Sequence, residues 1–249
     1  MKNKLEPILF IPDTHVPYHD KKAFALMLKV AAFLKPKHIV IQGDFADFYS
    51  VSSHSKDPTR ANSLEEESAE VNLALDQIDK LGAPNKIYVE GNHEDRLNRF
   101  LQDKAPALYS SLRVEKSFRL KERGWKFTPY KDHTKLGCIY LTHDTGKAGP
   151  TAHADALNDF QDNVLIGHTH RMAYTIRGNA KGVPHVAAMF GWLGDISKVD
   201  YMHKVKAMKD WALGFGIGYL EPSTGHVFVV PIPIVEYGCV VNGKKFEVR

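Results

Sequence analysis

The sequence predicts an α/β protein in which two packed sheets are flanked by helices. Its first half alternates short apolar runs with amphipathic stretches, and its last third consists mostly of strand-like runs. The strand-like runs cover residues 7–12, 39–41, 87–89, 138–141 and 164–166, and then the stretches near 183–189, 214–220, 226–234 and 237–247. An apolar sheet face must be buried against another layer, so this many strands favour two sheets with helices on the outside.

The length allows one large domain or two small ones, and the lack of a convincing linker favours one domain over residues 1–249. The chain has 249 residues, of which 43% are hydrophobic, and this is enough to bury a full core. Its formal net charge of +4 allows an anionic substrate without requiring nucleic acid. The apolar run Ile8–Ile11 is too short for a signal peptide or a membrane span. We therefore expect a cytoplasmic protein that does not associate with a membrane.

Two helices in the first half have clear start signals. Asp20 can cap a helix over residues 21–35. Ser63 and Glu66 have the spacing of a capping box, which opens a helix that reaches about Leu81. An acidic run at the start of this second helix is interpreted as a solvated first turn, which the helix dipole favours. The run comprises Glu65, Glu66 and Glu67.

A third helix and a long polar loop adjoin the strand ends. The helix is predicted from Glu94 to Gln102, directly after the strand at 87–89. Residues 49–62 have little apolar content and are predicted to form a loop. The two cysteines, Cys138 and Cys239, lie in strand-like runs and are expected to be buried, reduced thiols.

Five short polar pieces stand at or just after the ends of the strand-like runs. They are Asp13-Thr14-His15, Gly43-Asp44-Phe45-Ala46-Asp47, Gly91-Asn92-His93-Glu94-Asp95, Thr142-His143 and Gly167-His168-Thr169-His170. If the runs are neighbouring strands, all five pieces meet along one edge of a sheet. So many oxygen and nitrogen ligands suit two divalent ions, and two ions about 3.5–4 Å apart can hydrolyse phosphate esters.

The order and spacing of these pieces resemble the calcineurin-like metallophosphoesterase superfamily. The pattern D-x-H, G-D-x-x-D, G-N-H-[ED], a lone His and G-H-x-H is complete and covers residues 13–170. Each piece alone is common, whereas five in this order are specific. The resemblance implies the metallophosphoesterase fold, a four-layer αββα sandwich of two mixed sheets flanked by helices.

The resemblance also implies a set of metal ligands. One ion would be held by Asp13, His15 and His170, and Asp44 would bridge it to the other. The second ion would be held by three further residues. These are Asn92, His143 and His168. Oxygen and imidazole ligands without thiolate favour two divalent ions such as Mn²⁺, with Fe, Co, Ni or Zn as alternatives.

A mechanism follows from the same resemblance. The two ions would lower the pKa of a shared water, supply a bridging hydroxide as nucleophile and neutralise phosphoryl oxygens. His93 occupies the position of the superfamily's proton donor, and Asp47 matches the carboxylate that pairs with it. Such a pair keeps the histidine protonated as a general acid. Glu94 and Asp95 could support the site or could only favour the N-terminus of the following helix.

The substrate is less well specified than the chemistry. Four residues are candidate phosphate-binding groups, two of them after the third polar piece and two in the polar loop. They are Arg96, Arg99, His54 and Arg60. The chain also resembles compact phosphoesterases carried by bacteriophages. This favours a phosphomonoesterase whose small phosphorylated substrate is a (deoxy)nucleoside 5′-monophosphate.

Other functions are weighed against this one. A phosphodiesterase or DNA nuclease could use the same site on nucleic acid, although no basic run with interleaved aromatics suggests a single-strand groove. A protein phosphatase is disfavoured because Phe48 replaces an Arg of those enzymes and Val16 replaces a Gly. A non-catalytic scaffold is disfavoured because His93 and all seven ligands are present. Trp192 and Trp211 could line a substrate cleft or pack in the core.

Overall fold

The computed structural model describes residues 4–53, 56–57, 63–178, 180, 182–198 and 210–249. These residues contain thirteen strands and six α-helices. The strands are β1 (Glu6–Ile11), β2 (His38–Ile41), β3 (Asn85–Val89), β4 (Trp125–Thr128), β5 (Thr134–Leu136), β6 (Ile139–Leu141), β7 (Val164–Leu165), β8 (Met172–Arg177), β9 (His185–Phe190), β10 (Gly214–Leu220), β11 (Val227–Pro233), β12 (Gly238–Val241) and β13 (Lys244–Glu247). The helices are α1 (Lys21–Leu34), α2 (Leu64–Asp79), α3 (Glu94–Lys104), α4 (Tyr109–Leu112), α5 (Val114–Ser117) and α6 (Ala152–Phe160).

The strands form two mixed sheets and a hairpin. The first sheet has six strands in the order β11-β10-β1-β2-β3-β4. Its strands β1 to β4 are parallel to one another, and β10 joins β1 in antiparallel orientation. The second sheet has five strands in the order β5-β6-β7-β9-β8, and β6, β7 and β9 are its parallel members. Strands β12 and β13 pair as a separate hairpin.

The hydrophobic residues divide into layers that follow the alternation of the strands. In β1, Ile8 and Phe10 pack between the two sheets, and the Phe10 and Phe190 rings stack 5.2 Å apart there. Leu9 and Ile11 face the other way, into the cluster that contains the buried side chains of α1 and α2. Helix α6 packs on the outer face of the second sheet. Helix, sheet, sheet and helix therefore stack in that order, which confirms the predicted fold class.

The two helix N-caps that the sequence predicts are present in the structure. The Asp20 carboxylate accepts hydrogen bonds from the backbone N–H groups of Lys22 and Ala23, which caps α1. Ser63 and Glu66 form both hydrogen bonds of the capping box at the start of α2. These contacts satisfy backbone donors that have no partner within the helix.

Several elements had no clear sequence signal. Helix α6 has no side-chain cap, because Thr151 makes no capping hydrogen bond. Strand β8 lies at a sheet edge, and its side chains are exposed or half-buried, so it has no fully buried face. Both cysteines are free thiols; Cys239 is buried in β12 as expected, whereas Cys138 precedes β6 and is only half-buried. None of the described helices has the length and apolar character needed to cross a membrane.

Glu67 corrects one expectation about α2. Glu65 and Glu66 are exposed, but the interpretation of the whole acidic run as solvated was wrong, since Glu67 is only 1% exposed. It continues the buried stripe of α2, one helical repeat before Val71. Its carboxyl group bonds to both the backbone N–H and the hydroxyl of Ser50, at 3.1 Å each. The contact joins α2 to the turn that follows Asp47.

We expect the buried carboxyl of Glu67 to make stability fall as pH rises. Burial raises the pKa of Glu67 to about 7, against 4.5 for the ordinary group. Between these values the folded protein holds a proton that the unfolded chain has released, so rising pH favours unfolding. Relative to the wild type, Glu67→Gln should therefore gain on the order of 1–3 kcal/mol between pH 5 and pH 8.

Urea unfolding of both proteins across this pH range measures the difference. Glu65→Gln, in the same turn but exposed, should show no comparable pH-dependent gain. A constant difference between Glu67→Gln and the wild type at all pH values would contradict the prediction.

Candidate metal centre

The five polar pieces meet where the central parallel strands end. Asp13 follows β1, Asp44 follows β2 and Asn92 follows β3, and these three strands are adjacent in the first sheet. His143 and His168 follow β6 and β7, which are adjacent in the second sheet. Carboxyl ends of parallel strands are the usual place for sites in such sheets. The structure therefore brings together the strand ends that carry the predicted ligands.

The predicted ligands of the first ion form one cluster. Atoms of Asp13, His15, Asp44 and His170 lie within 4.8 Å of one another, and all four residues are buried. The Nε2 atoms of His15 and His170 are 3.0 Å apart. His170 Nε2 is also 3.2 Å from Asp13 Oδ2. Among the described residues, this buried Asp13 oxygen has no hydrogen-bond partner.

The predicted ligands of the second ion form an adjoining cluster that shares Asp44. Atoms of Asp44, His143 and His168 lie within 4.8 Å of one another. Asn92 completes the group, because its Oδ1 atom is 3.1 Å from His143 Nε2 and 2.8 Å from His168 Nδ1. Asp44 Oδ2 is 3.3 Å from His143 Nε2. The position of Asp44 in both clusters is what a bridging ligand requires.

The chemistry of these atoms fits divalent cations. The Nδ1 atom of His143 donates its proton to the carbonyl of Gln42 at 2.8 Å, which turns Nε2 toward the Asn92 and Asp44 oxygens. A hydrogen bond of this kind commonly orients a metal-binding imidazole. Carboxylate oxygens, an amide oxygen and imidazole nitrogens thus converge in one place. Such a set suits ions of the Mn²⁺ to Zn²⁺ series.

Backbone N–H groups hold the two central carboxylates in place. Asp44 Oδ1 accepts a hydrogen bond from the N–H of His93 at 2.8 Å, and Asp13 Oδ1 accepts one from the N–H of His168 at 3.1 Å. In each case the Oδ2 atom is the one that lies near the imidazole nitrogens. Each carboxylate therefore has one oxygen anchored and the other directed into the centre.

The glycines before two of the ligands are required for this close approach. A Cβ atom at Gly91 would overlap the backbone nitrogen and the carboxylate of Asp44. A Cβ atom at Gly167 would lie 2.6 Å from Asp13 Oδ1. Gly91 and Gly167 thus each allow their loop to pack directly on a predicted ligand that belongs to a different loop.

Four of the predicted ligands have left-handed backbone. Their φ angles are positive, which is uncommon and unfavourable for residues other than glycine. They are His15 (56°), Asp44 (47°), His168 (67°) and His170 (58°). The loops between the strands and these side chains are therefore sharply bent, and the bend turns each side chain toward the centre.

Asp47 contacts two histidines. Its Oδ2 atom is 3.1 Å from Nδ1 of His93, the pairing that the sequence predicts, and 3.0 Å from Nδ1 of His15. Burial would raise the pKa of Asp47, but the charges of His93 and His15 outweigh burial and hold that pKa well below its ordinary value. Burial also lowers the pKa of His15, which favours the neutral, ligating form. The role of Asp47 in orienting a predicted ligand had no separate sequence signal.

His93 lies between Asp47 and the bridging carboxylate. Its Nε2 atom is 3.9 Å from Asp44 Oδ2. Burial lowers the pKa of His93, but the charges of Asp44 and Asp47 outweigh burial and raise it above the ordinary value.

The four candidate phosphate-binding residues have different positions. Arg96 lies at the site, since its guanidinium donates to the carbonyl of Asp47 at 3.1 Å and to His93 Nε2 at 2.9 Å. Arg99 makes a surface ion pair with Asp95 one turn away, and its side chain is 58% exposed. The other two, His54 and Arg60, lie outside the described residues.

Two further groups support the clusters. Trp192 is buried and stacks on the His170 ring at 4.7 Å, and the half-buried Trp211 contacts the same ring edge-on at 4.4 Å. Both tryptophans therefore pack against a predicted ligand.

Glu94 is fully buried and accepts hydrogen bonds from the loop that carries Asp44, so its side chain does more than favour a helix N-terminus. Its position directly after His93 was the only sequence signal for this role.

Comparison with known proteins agrees with the resemblance. A family model described as calcineurin-like phosphoesterase matches residues 6–220. The chain is 26% identical over 263 residues to the gene 54 protein of Mycobacterium phage D29, and the match covers 97% of this chain and 98% of the relative. It is also 26% identical over 270 residues to the gene 54 protein of Mycobacterium phage L5, with the same coverage.

Among solved structures, the chain is similar to vacuolar protein sorting 29 from Cryptosporidium parvum. The sequence identity is 15% and the TM-score 0.48, over 97% of this chain and 94% of that chain. The family model spans most of the chain and all the predicted ligands. This protein therefore belongs to the calcineurin-like phosphoesterase family and is a hydrolase of ester bonds.

Proposed function

We propose that this hydrolase is a phosphomonoesterase that acts on (deoxy)nucleoside 5′-monophosphates with two divalent ions, of which Mn²⁺ is the first candidate. The observation that carries the proposal is the contact of His93 with both Asp47 and Arg96 beside the two ligand clusters. A proton donor and a phosphate-binding cation thereby adjoin the same pair of ion sites.

Seven residues would hold the two ions. Asp13, His15 and His170 would bind one ion, and Asp44 would be shared with the second. The further ligands of the second ion would be Asn92, His143 and His168. When bound, the ions would supply an activated water as nucleophile and neutralise the phosphoryl oxygens. The negative charge of Asp44 would also screen the repulsion between the two cations.

His93 acts as the general acid for the leaving group. Asp47 accepts a hydrogen bond from its Nδ1 atom and so directs Nε2 toward the centre. An arginine can only donate, so in the structure Nε2 accepts a hydrogen bond from Arg96. A phosphoryl oxygen is a stronger acceptor for a guanidinium than an imidazole nitrogen is. Substrate binding therefore draws Arg96 onto the phosphate and leaves Nε2 free to carry the proton to be donated.

The class of substrate is supported by general features of the chain. A net charge of +4 suits an anionic substrate. The two similar gene 54 proteins come from bacteriophages and match this chain over almost their whole length, in keeping with the resemblance to compact bacteriophage phosphoesterases. Two free cysteines, Cys138 and Cys239, suit a reducing compartment, and a cytoplasmic location is part of the proposal.

The first test is phosphate release from a panel of 5′-mononucleotides by the Mn²⁺-loaded protein. We expect release by the wild type, and about 10²- to 10⁴-fold slower turnover by His93→Asn because the proton donor is lost. Metal analysis of both proteins by mass spectrometry should give two ions per chain, since His93 is outside the ligand set.

Labelled single- and double-stranded DNA incubated with the same preparations distinguishes the alternative substrate. Intact DNA with His93-dependent release from mononucleotides supports the monophosphatase. Cleavage of DNA together with inert mononucleotides would make the protein a nuclease that uses the same centre. Near-wild-type turnover by a His93→Asn protein that holds two ions would refute the role of His93.

Two arginines on α3 provide a matched test of phosphate binding. Arg96→Gln should lower kcat/KM for the monophosphate about 10- to 100-fold, because a charge-assisted contact to the phosphate is lost. Arg99→Gln removes the same charge from the same helix, but from an exposed side chain paired with Asp95, and should change kcat/KM less than twofold. Steady-state kinetics at low ionic strength measures both. Equal losses in the two variants would show that only the overall charge of the helix matters.

A further inference from the structure

Glu94 is the most highly connected buried acid near the centre. Its side chain is fully buried and accepts five hydrogen bonds. The donors are the backbone N–H groups of Asp44 (2.9 Å), Phe45 (2.7 Å), Ala46 (3.0 Å) and Gly91 (3.0 Å) and the hydroxyl of Tyr88 (2.8 Å). We call these contacts the Glu94 network.

The network is built mainly from backbone donors. Four of its five donors are backbone N–H groups, which can only donate, so the two oxygens of Glu94 act as their acceptors. A buried N–H group that is left without an acceptor is costly. Loss of the Glu94 oxygens would therefore leave these donors unsatisfied unless the loops that carry them moved.

The network joins the two loops that carry the shared centre. Three successive N–H groups, from Asp44 to Ala46, turn toward Glu94, as in the backbone nests that bind anions elsewhere. The fourth N–H belongs to Gly91, which precedes Asn92. One carboxylate thus determines how the loop after β2 lies against the loop after β3. In that arrangement the His93 N–H reaches Asp44 Oδ1.

We propose that Glu94 is a positioning residue that holds Asp44 between the two ion sites through this network. The inference rests on the ligand set proposed above. Loss of the Glu94 carboxyl group would affect Asp44 and the loop of Asn92 directly, because it bonds the N–H groups of Asp44 and Gly91. The carboxyl group makes no such bond to the loops that carry Asp13, His15 and His170. The second ion, held by the loop of Asn92, is therefore the more sensitive of the two.

Asp95 provides the matched control. It also lies in the first turn of α3, but it pairs with Arg99 on the helix surface. If an acid at this end of the helix served only the dipole, Glu94→Gln and Asp95→Asn would have similar effects. Glu94→Gln keeps the size of the side chain but places an NH₂ group, itself a donor, against the N–H donors of the network.

The experiment measures Mn²⁺ binding by the metal-free proteins and records electron paramagnetic resonance spectra at two equivalents. The wild type and Asp95→Asn should bind two ions and give the spectrum of a spin-coupled pair. In Glu94→Gln we expect the dissociation constant of the weaker ion to rise about 10- to 100-fold, the usual effect of losing a group that orients metal ligands. Its spectrum should show the six lines of isolated Mn²⁺, while circular dichroism shows the fold of the wild type and one ion remains tightly bound.

The outcomes separate this inference from the proposed function. Fewer than two ions in the wild type would overturn the ligand set, and the inference with it, before any substrate is tested. Two tightly bound, coupled ions in Glu94→Gln would overturn the inference alone. Failure of the mononucleotide assay with normal metal binding would overturn only the substrate.

A second variant tests the positioning role of Glu94 if Glu94→Gln does not fold. Tyr88→Phe removes one of the five donors and leaves the carboxyl group and the four N–H bonds in place. We expect a folded protein in which the weaker ion binds about threefold to tenfold less tightly. Unchanged binding in Tyr88→Phe, together with an unfolded Glu94→Gln, would mean that Glu94 serves the fold and not the centre.

Discussion

The convergence of buried carboxylate and imidazole groups is the constraint on which the rest of this structure depends. Asp13 and Asp44 lie in clusters with histidines whose ligand atoms are within 4.8 Å of one another, and both carboxylates are buried. A buried charged group is costly unless it is paired or binds a metal. The backbone N–H groups of His93 and His168 each bond one oxygen of a carboxylate. Main-chain donors thus leave the second oxygen of each carboxylate directed into the centre.

The two sheets supply the rigidity that this arrangement needs. The predicted ligands follow β1, β2, β3, β6 and β7, which are parallel strands in the middle of their sheets. The apolar contacts between the sheets, such as Phe10 against Phe190, fix how one set of strand ends faces the other. Ligands on both sheets can therefore meet at one place although they are far apart in the sequence. Sites carried by strands and helices are held more firmly than sites on loops alone.

Local signals in the sequence predicted much of the fold and the polar pieces that the structure brings together. The caps at Asp20 and Ser63 depend on neighbouring residues only, and three of the predicted ligands directly follow a glycine near a strand end. These three are Asp44, Asn92 and His168. The helical period places Glu67 on the buried stripe of α2, but its partner Ser50 belongs to another segment and could not be foreseen. Arg96 lies one helical turn after His93 and Arg99 does not, but the contacts of the two arginines follow only from how α3 packs. What the sequence lacked in each case was a contact between segments.

The left-handed backbone at His15, Asp44, His168 and His170 also limits which residues can replace these ligands. Among residues other than glycine, Asn, Asp and His occupy this conformation most readily. The same three residue types supply the oxygen and nitrogen atoms that bind divalent ions of this series. Conformation and coordination therefore select the same small set of amino acids, so exchange among Asn, Asp and His should alter the preferred ion while the loops keep their path. A β-branched residue would neither adopt the left-handed backbone readily nor supply an equivalent ligand atom.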